Sequence, residues 1–430
     1  MSDPNAAGGP IDDYDPLPME DAPLHLVASH TLASDGPASA VAFRSGRIAA
    51  IDWMRGLVML LMVVDHASLM WNPGRVAADS AYLRDPVTGA PLWTPGASLD
   101  WLQFTTRWIT HLCAPTFLFL SGTSLAISLE RRRGRGASSF ELDRHLFIRA
   151  LVLFACEGLI SMMPGHDGLH LQVLFAIGAS MLAMIPLRRL PASFLLALGL
   201  AWLAGSEFVL FRFFPIGNEA TAVSRSLARL LFFVPGRSGS IFVQYPMTHW
   251  LGMMILGWAF GRFLLARPAN ENGRLDIEKL LLLSGLSSLL LWAFVRRNNG
   301  YGNMGLLRDD TTIVQWLHMS RYPPSLSFSM MELGLMALLL VVFLRHERRM
   351  SGPPREFNPL LVFGQTALFF YVVHFIVLGA GVAILRGESD PGGLSATWLA
   401  TGAALVVLYP ICLGYRALKR RFPRSALQYL

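Results

Sequence analysis

The sequence predicts an all-α, polytopic membrane protein of about ten transmembrane helices with both termini in the cytoplasm. Three observations carry this. Of the 430 residues, 53% are hydrophobic and only 15% charged, where a soluble domain has about 25% charged. The apolar residues come in continuous blocks, long enough for helical spans, and do not alternate as β-barrel strands would. About two-thirds of the Lys and Arg side chains fall in the segments that this orientation places inside, as the positive-inside rule requires.

The spans are expected near 49–70, 108–129, 146–163, 170–187, 191–211, 247–266, 279–295, 325–344, 360–385 and 394–415. They form a membrane domain over 44–416, followed by a basic cytoplasmic tail, 417–430. Residues 1–43 hold Asp12, Asp13, Asp15, Glu20 and Asp21 and have no apolar run after a basic start. They read as a disordered acidic cytoplasmic tail rather than a signal peptide. The net charge of +7 belongs to orienting loops, so no nucleic-acid partner is expected. Cys113, Cys156 and Cys412 fall inside apolar blocks and read as packing residues. No internal repeat of the kind common in transporters is visible.

The first block is unusual. It opens with Asp52 and Arg55 and closes with Asp65 and His66. Charged groups in a membrane helix are costly, so they face protein, pair, or work. Asp52, Arg55, Met59, Met62 and His66 fall on one helical face, since the eleven residues from Arg55 to His66 make about three turns. In the second block Arg107, His111 and Pro115 are four apart, hence on one face of a continuous helix. Pro115 is placed to disturb that helix, and Ser121-Gly-Thr-Ser124 allows close helix approach. His66 and His111, with Asp65 and Arg107, are candidates for a general-base site near the outer surface; an interfacial anchor belt is the plain alternative.

Glu157, Glu332 and His374 lie inside spans and suit either interhelical hydrogen bonding or proton relay. The outer loop Arg296-Arg-Asn-Asn-Gly-Tyr-Gly-Asn303 and the run from Arg321 to Pro324 offer donors to a polar ligand. His166 and His170 have an i, i+4 spacing, but Gly168 interrupts it, and no metal site is expected. No phosphate-binding loop, dinucleotide fingerprint or nucleophile elbow is present, which leaves nucleotide hydrolysis, redox and serine hydrolase chemistry unsupported.

Several ordered motifs resemble a known family. They are Arg47-Ile-Ala-Ala-Ile-Asp52-Trp-Met-Arg55-Gly with Met62-Val-Val-Asp65-His66, then Arg107 to Pro115 with the following Phe-Leu-Ser-Gly-Thr-Ser124, then Ser320-Arg-Tyr-Pro-Pro-Ser325, and Phe363 to His374. Together they resemble the bacterial DUF1624 membrane proteins over most of 47–416. That family is related to the heparan-α-glucosaminide N-acetyltransferases and, more distantly, to the acyltransferase-3 proteins. The resemblance implies acyl transfer across a membrane, from cytoplasmic acyl-CoA to a sugar or similar acceptor on the far side. In the acetyltransferase branch the key histidine lies in the first outer loop, whereas residues 67–106 here contain none. His66 stands where that branch has an asparagine, and His111 where it has an aspartate.

The expected function is an inner-membrane acyltransferase that uses acyl-CoA, acetyl-CoA above all, as co-substrate. His66, His111 and Asp65 are its catalytic candidates. Asp52, Arg55, Arg107, His374 and Arg321 are its binding candidates, and Arg131, Arg132, Arg133 and Arg135 offer further charge to CoA phosphates. The bilayer and a small-molecule or glycan acceptor are its partners, and self-association is left open. The competing reading is a transporter or flippase for a lipid-linked or anionic solute, with Glu157, Glu332 and His374 as a proton path. A third is a non-catalytic member of an envelope assembly.

Overall fold

The computed structural model describes residues 48–85, 90–163, 167–216, 226–268, 270–385, 392–422 and 425–429. The acidic N-terminal tail and His166 lie outside the described residues. Among the described residues, eight helices are long and apolar enough to cross a membrane. They begin with α1 (Ala49–Trp71) and the continuous segment Trp101–Gly134. That segment comprises α2 (Trp101–Trp108), a 3₁₀ turn (Ile109–Leu112) and α3 (Cys113–Gly134). After α4 (Ser139–Ser161) and α5 (Val173–Leu187) come α6 (Ala192–Phe213), the short α7 (Leu227–Phe232), α8 (Met247–Ala266) and α9 (Glu271–Asn298). The chain continues through α10 (Ile313–Leu317), α11 (Leu326–Arg349), α12 (Pro359–Gln365), α13 (Ala367–Leu385) and α14 (Leu394–Arg421).

Two of the ten expected spans are not among the eight. α4 is 23 residues long but carries Arg144, Arg149 and Glu157, and α5 has only 15 residues. The expected span 360–385 is two helices, broken at Thr366. The second block is also interrupted: Pro115 has no N–H for the carbonyl of His111, and its ring crowds that carbonyl. The preceding turn tightens to 3₁₀ over Ile109–Leu112, so Arg107 and His111 do not share one continuous α-helical face.

α1 and the Trp101–Gly134 segment form the centre. Within its apolar stretch, the latter is 78% buried, against 22% for α9. Leu283, Leu290 and Phe294 on α9, with Leu399 and Val406 on α14, turn outward, as lipid-facing side chains do. Two crossings bring backbones into contact. A side chain at Gly56 would meet the backbone of Leu360, and one at Gly364 the carbonyl of Asp52. Gly122 and Gly257 play the same role where α3 crosses α8. Small residues at such crossings are how membrane helices gain close packing. The start of α1 is capped by Glu347, whose carboxylate accepts from the backbone N–H groups of Ala49 at 3.1 Å and Ala50 at 2.9 Å, a favourable placement at the positive end of a helix.

Among the described residues, the strands are limited to one patch. β1 (Leu169–Leu171) pairs in parallel with β3 (Ile241–Val243), which pairs antiparallel with β2 (Gly236–Ser238). This patch sits at the same end of the bundle as the close of α1 and sets His170 and Arg237 beside Asp167.

Candidate active site

The stripe on α1 organises the site. At its start, the Arg55 guanidinium meets Asp52 at 3.0 Å and donates to the hydroxyl of Ser124 on α3. Two cavities open there. One, of about 410 Å³, is walled by Asp52, Arg55, Ser128, Arg131, Arg132 and Arg135. The other, of about 310 Å³, runs from Arg55, Arg149 and Lys419 past Met59 to Phe117, Val173 and Tyr371. Those last three residues are also walls of a much smaller space, about 20 Å³, lined by Met62, Asp65, His66, Cys113, Tyr245 and Arg321. It has room for a single water. One face of α1 thus lines both spaces, with Arg55 and Met59 on the larger and Met62 and His66 on the smaller.

A buried ion cluster closes the far side of this space. Asp65 accepts from Arg107 and, at 2.9 Å, from Arg75, and Arg321 lies 3.8 Å from its other oxygen. Arg107 also donates through Nε to Asp79 at 2.7 Å, with a second contact through Nη2. Burial alone would raise the Asp79 carboxyl, but the guanidinium of Arg107, with His111 behind it, holds it well below the usual carboxylate range. The loop that carries Asp79 is tied to the segment before α11: Arg321 N–H donates to the Asp79 carbonyl at 2.8 Å, and His318 to that of Ala78 at 2.7 Å.

Arg321 donates through Nη2 to the Tyr245 hydroxyl at 3.0 Å, which lies 3.3 Å from that of Tyr322. Burial pushes the Tyr245 phenol well above its usual value, so it stays neutral. The Nε and Nη1 atoms of Arg321 are buried without a hydrogen-bond partner. Beyond the cluster opens a further cavity of about 690 Å³, walled by Arg75, Arg84, Arg107, Arg229, Arg237, Asp167 and Tyr322. Asp167, on its exposed rim, is lowered to about 2, chiefly by the hydrogen bond from Arg237 and then by that with His170.

The expected residues therefore fall into two groups at opposite ends of α1. Asp65, His66, Arg107, His111 and Arg321 gather at the C-terminal end of α1, together with His374 from α13, whose Nε2 lies 2.6 Å from His66 Nδ1. Asp52 and Arg55 stand at the other end. His111 is fully buried, 3.7 Å from Asp79 and 5.6 Å from the Phe328 ring, and lines none of these cavities. The loop 296–303 is not an open donor set. Arg296 is fully buried and is consumed by Asn303 at 2.7 Å and the carbonyls of Leu306, Gln315 and Trp316. Arg75, Asp79, Tyr245 and Tyr371 were not singled out by sequence. Arg75 and Asp79 lie in an irregular loop, and Tyr371 looks like one more aromatic in an apolar run.

Residues 93–295 match the family model described as heparan-alpha-glucosaminide N-acetyltransferase, catalytic. Over that stretch the chain is related to the heparan-α-glucosaminide N-acetyltransferases. The match takes in just under half of the chain, less than the motif resemblance over 47–416 suggested. It contains Arg107, His111, Asp167, Arg237 and Tyr245, while Asp65, His66, Arg321 and His374 lie outside it. The relation to these acetyltransferases points to a membrane acetyltransferase, a class that uses acetyl-CoA as donor. No curated protein matches the chain.

Proposed function

We propose that the protein is a bacterial inner-membrane acyltransferase that carries an acetyl group from cytoplasmic acetyl-CoA to a hydroxyl or amine of a sugar-like acceptor on the periplasmic side. The observation that carries this reading is the position of His66. It lines a space with room for one water that shares the walls Phe117, Val173 and Tyr371 with a cavity edged by Arg55, Arg149 and Lys419. A larger cavity lies just beyond the ion cluster on the other side.

The inner cations suit the phosphates of CoA, and the narrowness of the space suits a short acyl chain. In the proposed step, His66 removes the proton from the acceptor as its oxygen or nitrogen bonds to the thioester carbon. The C–S bond then breaks, and the departing thiolate takes that proton from His66. The unpartnered Nε and Nη1 of Arg321 are donors for the carbonyl oxygen as it gains charge. Asp65, held by Arg75, Arg107 and Arg321, fixes this guanidinium, and Arg107 ties α2 to the loop that bears Asp79.

The test uses the full chain in lipid nanodiscs with acetyl-CoA and glucosamine, following thiol release and, separately, thermal stability. Acetyl-CoA at 100 times its dissociation constant stabilises by about 2.7 kcal/mol. Acceptor-dependent thiol release, abolished in His66→Ala while the stabilisation by CoA persists, is the expected result. Neither stabilisation nor thiol release with any acyl-CoA would overturn the reading and favour a transporter.

A further inference from the structure

His374 is fully buried in α13 and its hydrogen bonds form an ordered chain. Its Nδ1 lies 3.2 Å from the carbonyl oxygen of Phe370, one turn earlier. A carbonyl can only accept, so that nitrogen carries a proton. A neutral imidazole has a single N–H, which leaves His374 Nε2 as a lone pair. Nε2 lies 2.6 Å from His66 Nδ1, so His66 must donate from Nδ1. The proton of neutral His66 is then spent on this bond. Its Nε2 is left as a lone pair, with no hydrogen-bond partner among the described residues, on a ring that lines the one-water space.

The packing holds this arrangement. The two ring centroids lie 4.9 Å apart with an interplanar angle of 22°, so the rings meet edge to edge along this bond. Phe375 packs on both, at 4.3 Å from His66 and 4.5 Å from His374, and Tyr371 meets the edge of His66 at 6.2 Å. Among the described residues, neither ring has a carboxylate within hydrogen-bonding distance. Histidine in water favours the opposite tautomer, with the proton on Nε2, and in that form Nε2 could not take a proton.

We infer that His374 is a positioning residue: through the Phe370–His374–His66 chain it selects the Nδ1–H tautomer of His66 and so makes His66 Nε2 a base. The orienting role that a carboxylate plays for a catalytic histidine elsewhere falls here to a second histidine anchored on a helix carbonyl. When Nε2 takes the acceptor's proton, the Nδ1–H bond to His374 remains and strengthens with the charge on the ring. No proton leaves the pair, and Nε2 returns its own to the thiolate. This rests on the acyltransferase reading for its chemistry, but not for the tautomer itself.

Two measurements test it on the full chain in nanodiscs. Nitrogen-15 NMR of labelled histidine should find His66 protonated on Nδ1 in the wild type and shifted toward Nε2 in His374→Leu. His374→Gln places an amide oxygen where Nε2 stood and should keep the Nδ1–H form. In acetyl transfer, His374→Leu should lose about 10²-fold or more in kcat with the KM for acetyl-CoA unchanged, and His374→Gln should recover most of it. Wild-type kcat in His374→Leu, or His66 protonated on Nε2 in the wild type, would overturn the inference. If the wild type consumes no thioester, the acyltransferase reading fails, while the NMR result still decides the tautomer.

Discussion

Arg107 grips Asp79 with two of its nitrogens, Nε at 2.7 Å and Nη2 beside it, and so fastens the loop after α1 to the segment Trp101–Gly134. Both side chains are buried. Removing one partner of such a pair leaves the other charge buried and alone, at a cost of about 3–5 kcal/mol. Asp79→Asn should therefore lower the stability of the folded protein in detergent by about that amount near neutral pH. Because the folded carboxyl is held below its usual value of 3.8, its contribution is full above that value and lost as pH falls below it. The stability gap between wild type and variant should narrow from about pH 4 downward. A gap that stays constant there would mean the pair does not act through charge.

His66 and His111 can be separated by kinetics. His66→Ala should reduce acetyl transfer by about 10²–10⁴-fold, the usual range for a lost general base. His111→Asn should retain transfer within about 10-fold and instead lower thermal stability, since His111 packs against Asp79 and Phe328 away from the cavities. The reverse pattern in initial-rate measurements would move the base to His111.

Arg321 should behave as a donor to the reacting carbonyl. Arg321→Gln is expected to lower kcat by about 10²–10³-fold, typical of a lost oxyanion donor. Arg321→Lys should recover little, because a single ammonium cannot replace a planar fork that spans Tyr245 and the cavity. Equal loss in kcat/KM through KM alone would assign it to substrate binding only.

Gly56 and Gly364 set the approach of α1 to α12. Gly364→Val would drive a branched side chain into the Asp52 carbonyl. Overpacking of this kind costs about 1–3 kcal/mol and occasionally more. The variant should yield less folded protein and lose stabilisation by CoA, since the displaced turn carries Asp52 and Arg55. A fully folded variant with unaltered CoA binding would show that the Gly364 contact does not position Asp52 and Arg55 for the donor.

Much of this was legible in the chain. The stripe Arg55, Met59, Met62 and His66 follows from helical spacing, and the cavities run along it. The disturbance at Pro115 was legible as well, because a proline's effect is local. What sequence could not show was what meets across the bundle. His374 sits 308 positions from His66, and nothing in the apolar run around it says which helix it faces. Arg296 looked like a ligand donor because its neighbours are turn residues. Its four acceptors come from a loop that folds back only in three dimensions. The expected spans at α4 and α5 both form helices, but one carries Arg144, Arg149 and Glu157 and the other has only 15 residues, so neither is among the eight long apolar helices.

The partition formed by Asp65, Arg75, Arg107 and the Tyr245–Tyr322 pair has an electrical consequence. A hydrated ion needs a continuous column of water to cross a bilayer, and here the column is interrupted by fixed charges and a gap one molecule wide. The proposed transfer passes a group of atoms hand to hand through that gap without opening a conductive path. A bilayer that holds this protein is therefore expected to gain no ion conductance from it.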